Sequence, residues 1–215
     1  MNWFKGPSFP PIMWGSVWWR VLKCVLYDVQ FNQTLNKTSL CRFWKLLPHV
    51  LPCSVCSVNC QEKVLSELTS ECNGNHRFCK KPFCVIVEFH KKVIENKGGA
   101  FPTTRVSPVF ATWSQVQAGT LRYDQFDLAL FGFYLANCKN INQGIEFLQI
   151  FNSFLPKHQR ADLDSGDLDR AYVAKSYALK CRNRDEVMQH LFERIPQIYS
   201  DYKQEMQKSI FSSNK

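Results

Sequence analysis

The sequence predicts an all-α protein, on three observations. Apolar residues recur at helical spacing along most of the chain. Turn-forming stretches, such as Asn32 to Thr38 and Ser70 to Pro82, bound those runs. Nothing reads as a strand. With 215 residues, 45% hydrophobic and 14% aromatic, the chain can bury a real core in one or two domains.

The first helix is read from Gly15 to Tyr27, where Val17/Trp18, Val21/Leu22 and Val25/Leu26 share one face. In the second, Leu40, Phe43, Trp44 and Leu47 recur at i, i+3, i+4 and i+7, and Pro48 is expected to stop it. The third runs from about Pro52 to Leu68. Helix four carries Phe83, Ile86, Val87, His90, Val93 and Ile94, with Gly98-Gly99 able to close it. Ser107-Pro108 reads as N-cap and first residue of a short fifth helix bearing Val109, Trp113 and Val116. Further helices are expected over Tyr123 to Ala136, Ile141 to Phe154 and Leu168 to Leu179. A last one starts at Asn183, with Glu186 as its capping partner and a kink at Pro196.

All six Trp and eight of the ten Cys lie before residue 120, which places a domain boundary near Gly119-Thr120. The expected organisation is therefore a Cys/Trp-rich domain over 1–119 and a helical accessory domain over 120–215, in which no catalytic constellation is found. The chain carries a formal charge of +9 with a pI near 9.1. Residues 1–119 hold 14 Lys+Arg against 6 Asp+Glu, and the remainder 13 against 12, so the excess is confined to the first part. Lys80, Lys81, Lys91, Lys92 and Lys97 group around one helix, which reads as a solvated face before it reads as a nucleic-acid site. No apolar run reaches the roughly 18 to 20 residues that span a bilayer. Ile12 to Val29 comes nearest but contains Arg20, Lys23 and Asp28 and lacks the marks of a secretory signal.

The stretch that carries chemistry is Pro52-Cys53-Ser54-Val55-Cys56, a C-x-x-C at an expected helix start. Free N–H groups and the positive end of the helix dipole favour a thiolate there. The same spacing also suits half of a tetrahedral zinc site, so the pair alone leaves a redox dithiol and a metal site both open.

Four features in order resemble the Erv/ALR-type FAD-linked sulfhydryl oxidases. They are Gly15-x-x-x-Trp19, Pro52-Cys53-x-x-Cys56, His90-x-x-Val93 followed by Gly98, and Val109-x-x-x-Trp113, together covering residues 11–118. The resemblance implies a four-helix bundle plus a short fifth helix holding FAD, and a homodimer. It implies that Cys53 exchanges with protein dithiol substrates, that Cys56 is the flavin-proximal thiol, and that O2 takes the electrons to give hydrogen peroxide. The FAD contacts it implies are Trp14, Gly15, Ser16, Trp18, Trp19, Lys23, Val87, His90, Lys91, Val93, Ile94, Lys97, Gly98 and Trp113. Several positions depart from the family: Lys23 replaces a histidine, Leu51 a tyrosine, Val85 a tryptophan, and Lys91 and Ile94 two asparagines. Gly99-Ala100 stands for a Lys-Pro and Thr112 for an arginine. Such divergence fits a viral member, active in host cytoplasm, nucleus or virion, or one that has lost FAD.

The remaining cysteines divide into two groups. Cys24, Cys41, Cys138 and Cys181 are expected as buried free thiols on helix faces. Cys60, Cys72, Cys79 and Cys84, with Cys53, Cys56 and His76, could supply zinc ligands, although their spacings match no common finger. In the family, extra cysteines form structural or shuttle disulfides, and Cys72 with Cys79 is the pair expected to do so here; no metal is expected. Trp44 and Phe89 are expected in the core. The competing expectation is a non-enzymatic helical scaffold or zinc-binding interaction protein on a degenerate oxidase fold.

Overall fold

A computed structural model describes residues 11–32, 36–51, 54–67, 80–96, 106–136 and 141–160. Among these the chain is all-α, with no strand. The helices are α1 (Pro11–Phe31), α2 (Lys37–Val50), α3 (Ser54–Glu67), α4 (Pro82–Asn96), α5 (Pro108–Gln117), α6 (Gln125–Ala136) and α7 (Ile141–Phe154). A 3-10 turn follows at Lys157–Gln159. The helices expected beyond residue 160 lie outside the described residues.

Helix ends follow local chemistry. The Asn36 side chain caps α2 by accepting from the N–H groups of Thr38 (3.1 Å) and Ser39 (3.2 Å). Ser107 caps α5 through Phe110 N–H at 3.2 Å, with Pro108 at the first helical position as the sequence suggests. Gly119, at φ +69°, turns the chain out of α5 in the left-handed region, and its N–H donates to Val116 O at 3.0 Å.

Pro48 is a correction. It was expected to stop the second helix, yet it sits inside α2, which continues to Val50. The ring removes one donor only a turn from the helix end. Leu51 N–H still reaches Leu47 O at 3.2 Å, and Ser57 Oγ donates to Pro48 O at 2.5 Å from the next helix.

The principal packings pair α1 with α4, α2 with α3, α1 with α6 and α2 with α7. Tyr27 meets Phe83 at one end of the α1–α4 contact and Trp19 meets Phe89 at the other, so these helices run antiparallel. The short 51–53 link and the Ser57–Pro48 bond make α2 and α3 antiparallel as well. Asn59 and Glu62 of α3 lie beside Phe89, Lys92, Val93 and Asn96 in the C-terminal half of α4.

Side chains on both sides of Gly119 share one core. Trp18 is fully buried against Phe131 (centroids 4.7 Å apart) and Phe147 (6.5 Å), and Phe43 packs on Phe147 (4.8 Å) and Phe154 (5.6 Å). Beyond residue 119 the chain is strapped back onto α1. Cys24 Sγ donates to Leu121 O at 3.5 Å. Asp124 and Asp127 form a reciprocal cap at the start of α6: Asp127 N–H donates to Asp124 Oδ1 (2.8 Å) and Asp124 N–H to Asp127 Oδ2 (3.3 Å). Arg20 then pairs with the same Asp127 oxygen at 3.1 Å.

Burial raises the Asp127 pKa, and the pull of Arg20 opposes that rise. A carboxyl held above its unfolded value contributes most at low pH and loses that contribution as pH rises through the carboxylate range. Arg20→Ala would leave a buried carboxylate without its cation. Its expected cost is about 1–3 kcal/mol at pH 7, shrinking toward pH 4 as Asp127 takes a proton, read from urea midpoints.

Candidate functional site

Cys56 lies in the first turn of α3 and is 1% exposed; Cys60, one turn on, is fully buried. Val58, on the opposite face, is 52% exposed, so both sulfurs are turned into the core. Cys53, Pro52, Cys72, Cys79 and His76 lie outside the described residues. So do Lys97, Gly98 and the Trp14 side chain.

The stretches around residues 19 and 90 meet. The rings of Trp19 and His90 stack with centroids 4.4 Å apart and planes 26° from parallel, and Phe89 meets Trp19 edge-on at 5.6 Å. That separation leaves no gap for a third ring between them, so a flat ligand would lie against the pair or part it. Gly15 and Lys23 stand one turn to either side of Trp19 on α1. A Cβ built on Gly15 would meet nothing within 4 Å, which leaves room for a ligand to approach the backbone. Lys23 is buried, and desolvation pushes its amine down to about 8, opposed in part by Cys24.

A lysine with a depressed pKa binds its proton less tightly folded than unfolded. Its charge therefore costs stability below about pH 8, and the cost fades as pH rises toward the ordinary lysine value of 10.5. Lys23→Met is expected to raise stability by about 1–3 kcal/mol at pH 7 and by almost nothing near pH 10.5. Thermal melts at the two pH values check it.

The other sequence candidates are dispersed. Trp18 is taken up by the core between α6 and α7, since one residue along a helix turns a side chain about 100° away from Trp19. Val87 and Val93 are buried in the same core, Ile94 is half-buried and Ser16 exposed. Lys91 pairs with Glu95 at 3.4 Å on the surface of α4. Trp113 is half-buried at the edge of the core and stacks on Phe110 at 5.6 Å. Thr112 is buried and bonds back to Pro108 O at 2.8 Å. Trp44 and Phe89 are core residues, as expected.

Among the cysteines, Cys24 is the buried thiol the sequence suggests, with burial pushing its pKa up to about 11. Cys41 is a correction: it is buried but disulfide-bonded. A helical pattern registers the burial of a cysteine and is blind to whether its sulfur is paired. Cys84 is half-buried and accepts weakly from Gln30 Nε2 at 3.9 Å. Cys138 and Cys181 lie outside the described residues. Among the described residues no cluster of three or more His, Cys, Asp or Glu is placed to hold a metal ion.

Sequence reasoning passed over one further feature. Between α3 and α4 opens a cleft of about 320 Å³ lined by Asn59, Glu62, Phe89, Lys92, Val93 and Asn96. In the sequence Lys92 belongs to a basic group that reads as a solvated face, with attraction to an anionic cofactor or partner left open. The signal was the Phe89/Val93 pair one turn apart, flanked by polar residues on the same helix.

No family model, curated protein or solved structure matches this chain. Among the described residues the fold is all-α. Among the described residues no helix is long and apolar enough to cross a membrane.

Proposed function

We propose that this chain is a FAD-linked thiol oxidase of Erv/ALR type, forming disulfides in protein dithiols. The observation that supports the reading most is the pairing of Trp19 with His90 across α1 and α4, 71 positions apart. In the family these two positions serve the cofactor. The inward-facing Cys56, the open space at Gly15 and the buried Lys23 amine are compatible with a flat anionic cofactor at this end of the structure.

FAD, when bound, supplies acceptance of two electrons from a dithiol and their transfer to O2, which leaves as hydrogen peroxide. The chain supplies the rest. A substrate thiolate attacks Cys53 Sγ, the Cys53–Cys56 bond breaks, and Cys56 Sγ leaves as a thiolate favoured by the N-terminal turn of α3. The second substrate thiol then attacks the mixed disulfide and releases Cys53. Burial keeps Cys56 from exchanging directly with solvent thiols, so the two cysteines have separate tasks. Trp19 and His90 offer an aromatic wall, and Lys23 a positive charge for the cofactor's anionic oxygens.

Purified protein should be yellow, with a flavin band near about 450 nm, and should consume oxygen when given dithiothreitol. A colourless protein carrying stoichiometric zinc sinks the proposal. The competing reading, a helical scaffold on a degenerate oxidase fold, is favoured by the closed Trp19–His90 stack, and the flavin spectrum separates the two. A homodimer of the 25.1 kDa chain is part of the proposal, and a dominant monomer in light scattering at micromolar concentration removes it.

A further inference from the structure

The α3–α4 cleft has an unusual balance of groups. Phe89 and Val93 form an apolar floor with little exposed surface, while Glu62 on α3 and Lys92 on α4 stand on opposite walls, both exposed. Among the described residues neither charge has an ion-pair partner, and the two are not paired with each other across the cleft. The Asn59 and Asn96 carboxamides also make no hydrogen bond there. A cleft of about 320 Å³ is at the low end of the range for ligand sites, roughly 300 to 1,000 Å³.

The geometry points to this cleft as a docking site for an extended peptide segment whose apolar side chain is flanked by one acidic and one basic residue. An apolar side chain covers Phe89 and Val93, the peptide's two charges meet Lys92 and Glu62, and its backbone amides bond to Asn59 and Asn96. A polyanion fits poorly: Glu62 repels phosphates, and the volume is too small for a dinucleotide. Asn59 lies five residues after Ser54, the first residue of α3, or about 7.5 Å along the helix at 1.5 Å per residue. An extended chain covers that in about two to three residues, so a docked segment carries a cysteine about three positions from its apolar anchor to the start of α3, which Cys53 precedes in the sequence. Naming the segment as part of the thiol substrate rests on the oxidase reading; the docking chemistry does not.

The test uses the full chain and labelled synthetic peptides followed by fluorescence anisotropy. The probe is Ser-Gly-Glu-Leu-Lys, with serine in place of the reactive cysteine. The controls are a neutral peptide with Gln at both charged positions and one with Glu and Lys exchanged. Wild type should bind the probe about tenfold more tightly than the neutral peptide. Glu62→Lys or Lys92→Glu should each remove that preference, and the double reversal should bind the exchanged peptide better than the probe. Both side chains are exposed, so the substitutions leave the core intact. No preference in wild type, or a preference that survives both reversals, overturns the inference. Dithiothreitol turnover without peptide preference overturns the cleft alone, whereas peptide preference in a protein lacking flavin supports the cleft and removes the oxidase reading.

Discussion

Cys56→Ala is expected to reduce oxygen consumption with dithiothreitol to below about 1% of wild type, because the proposed exchange needs Cys56 as its leaving thiolate. Its stability cost should be small, about 1 kcal/mol, since only a sulfur is removed from a buried position. Cys53→Ala should lose activity to the same extent. Cys24→Ala is the informative control. That thiol is buried and its pKa is pushed up to about 11, so little thiolate forms at neutral pH and turnover should persist. Cys138→Ala should be equally silent. An oxygen electrode and a thermal melt on each variant suffice, and retained turnover in Cys56→Ala would remove the proposed chemistry.

Trp18→Ala is expected to cost about 3–5 kcal/mol, the range for emptying a buried aromatic site. Trp18 has no exposed surface and joins α1 to both α6 and α7 through Phe131 and Phe147, so the void opens where three helices meet. Urea unfolding should show a large fall in midpoint. A loss of less than about 1 kcal/mol would mean that the residues beyond 119 are not held by this contact.

The helix positions were largely legible in the sequence because each amphipathic face needs one partner surface, whichever that is. Ser107-Pro108 gave the start of α5 directly from capping chemistry. The partners were less legible. Trp18 and Trp19 carry the same hydrophobic signal, yet one packs on α6 and α7 and the other on α4. Periodicity reports burial and leaves the burying element open. Pro48 misled for a related reason: it falls in the last turn of α2, and its carbonyl, which has no helical partner there, accepts from Ser57 of another helix. Asp124-x-x-Asp127 was readable as a capping pattern, but nothing local announced that Arg20 would share it. Trp19 and His90 were singled out through family resemblance as separate cofactor contacts, while their direct stacking and the cleft charges emerged only from tertiary placement.

Arg20 reaches across 107 positions to Asp127, and Arg42 across 104 to Glu146. Two of the helices that cover α1 and α2, α6 and α7, are thus the last described ones to leave the ribosome. Until about residue 155 has emerged, the apolar faces around Trp18 and Phe43 have no cover, and the nascent chain carries them exposed. Such distant pairings slow folding and leave sticky surface open to other chains. Yield from rapid overexpression should therefore depend on chaperone supply and growth temperature more than the stability of the finished fold would suggest.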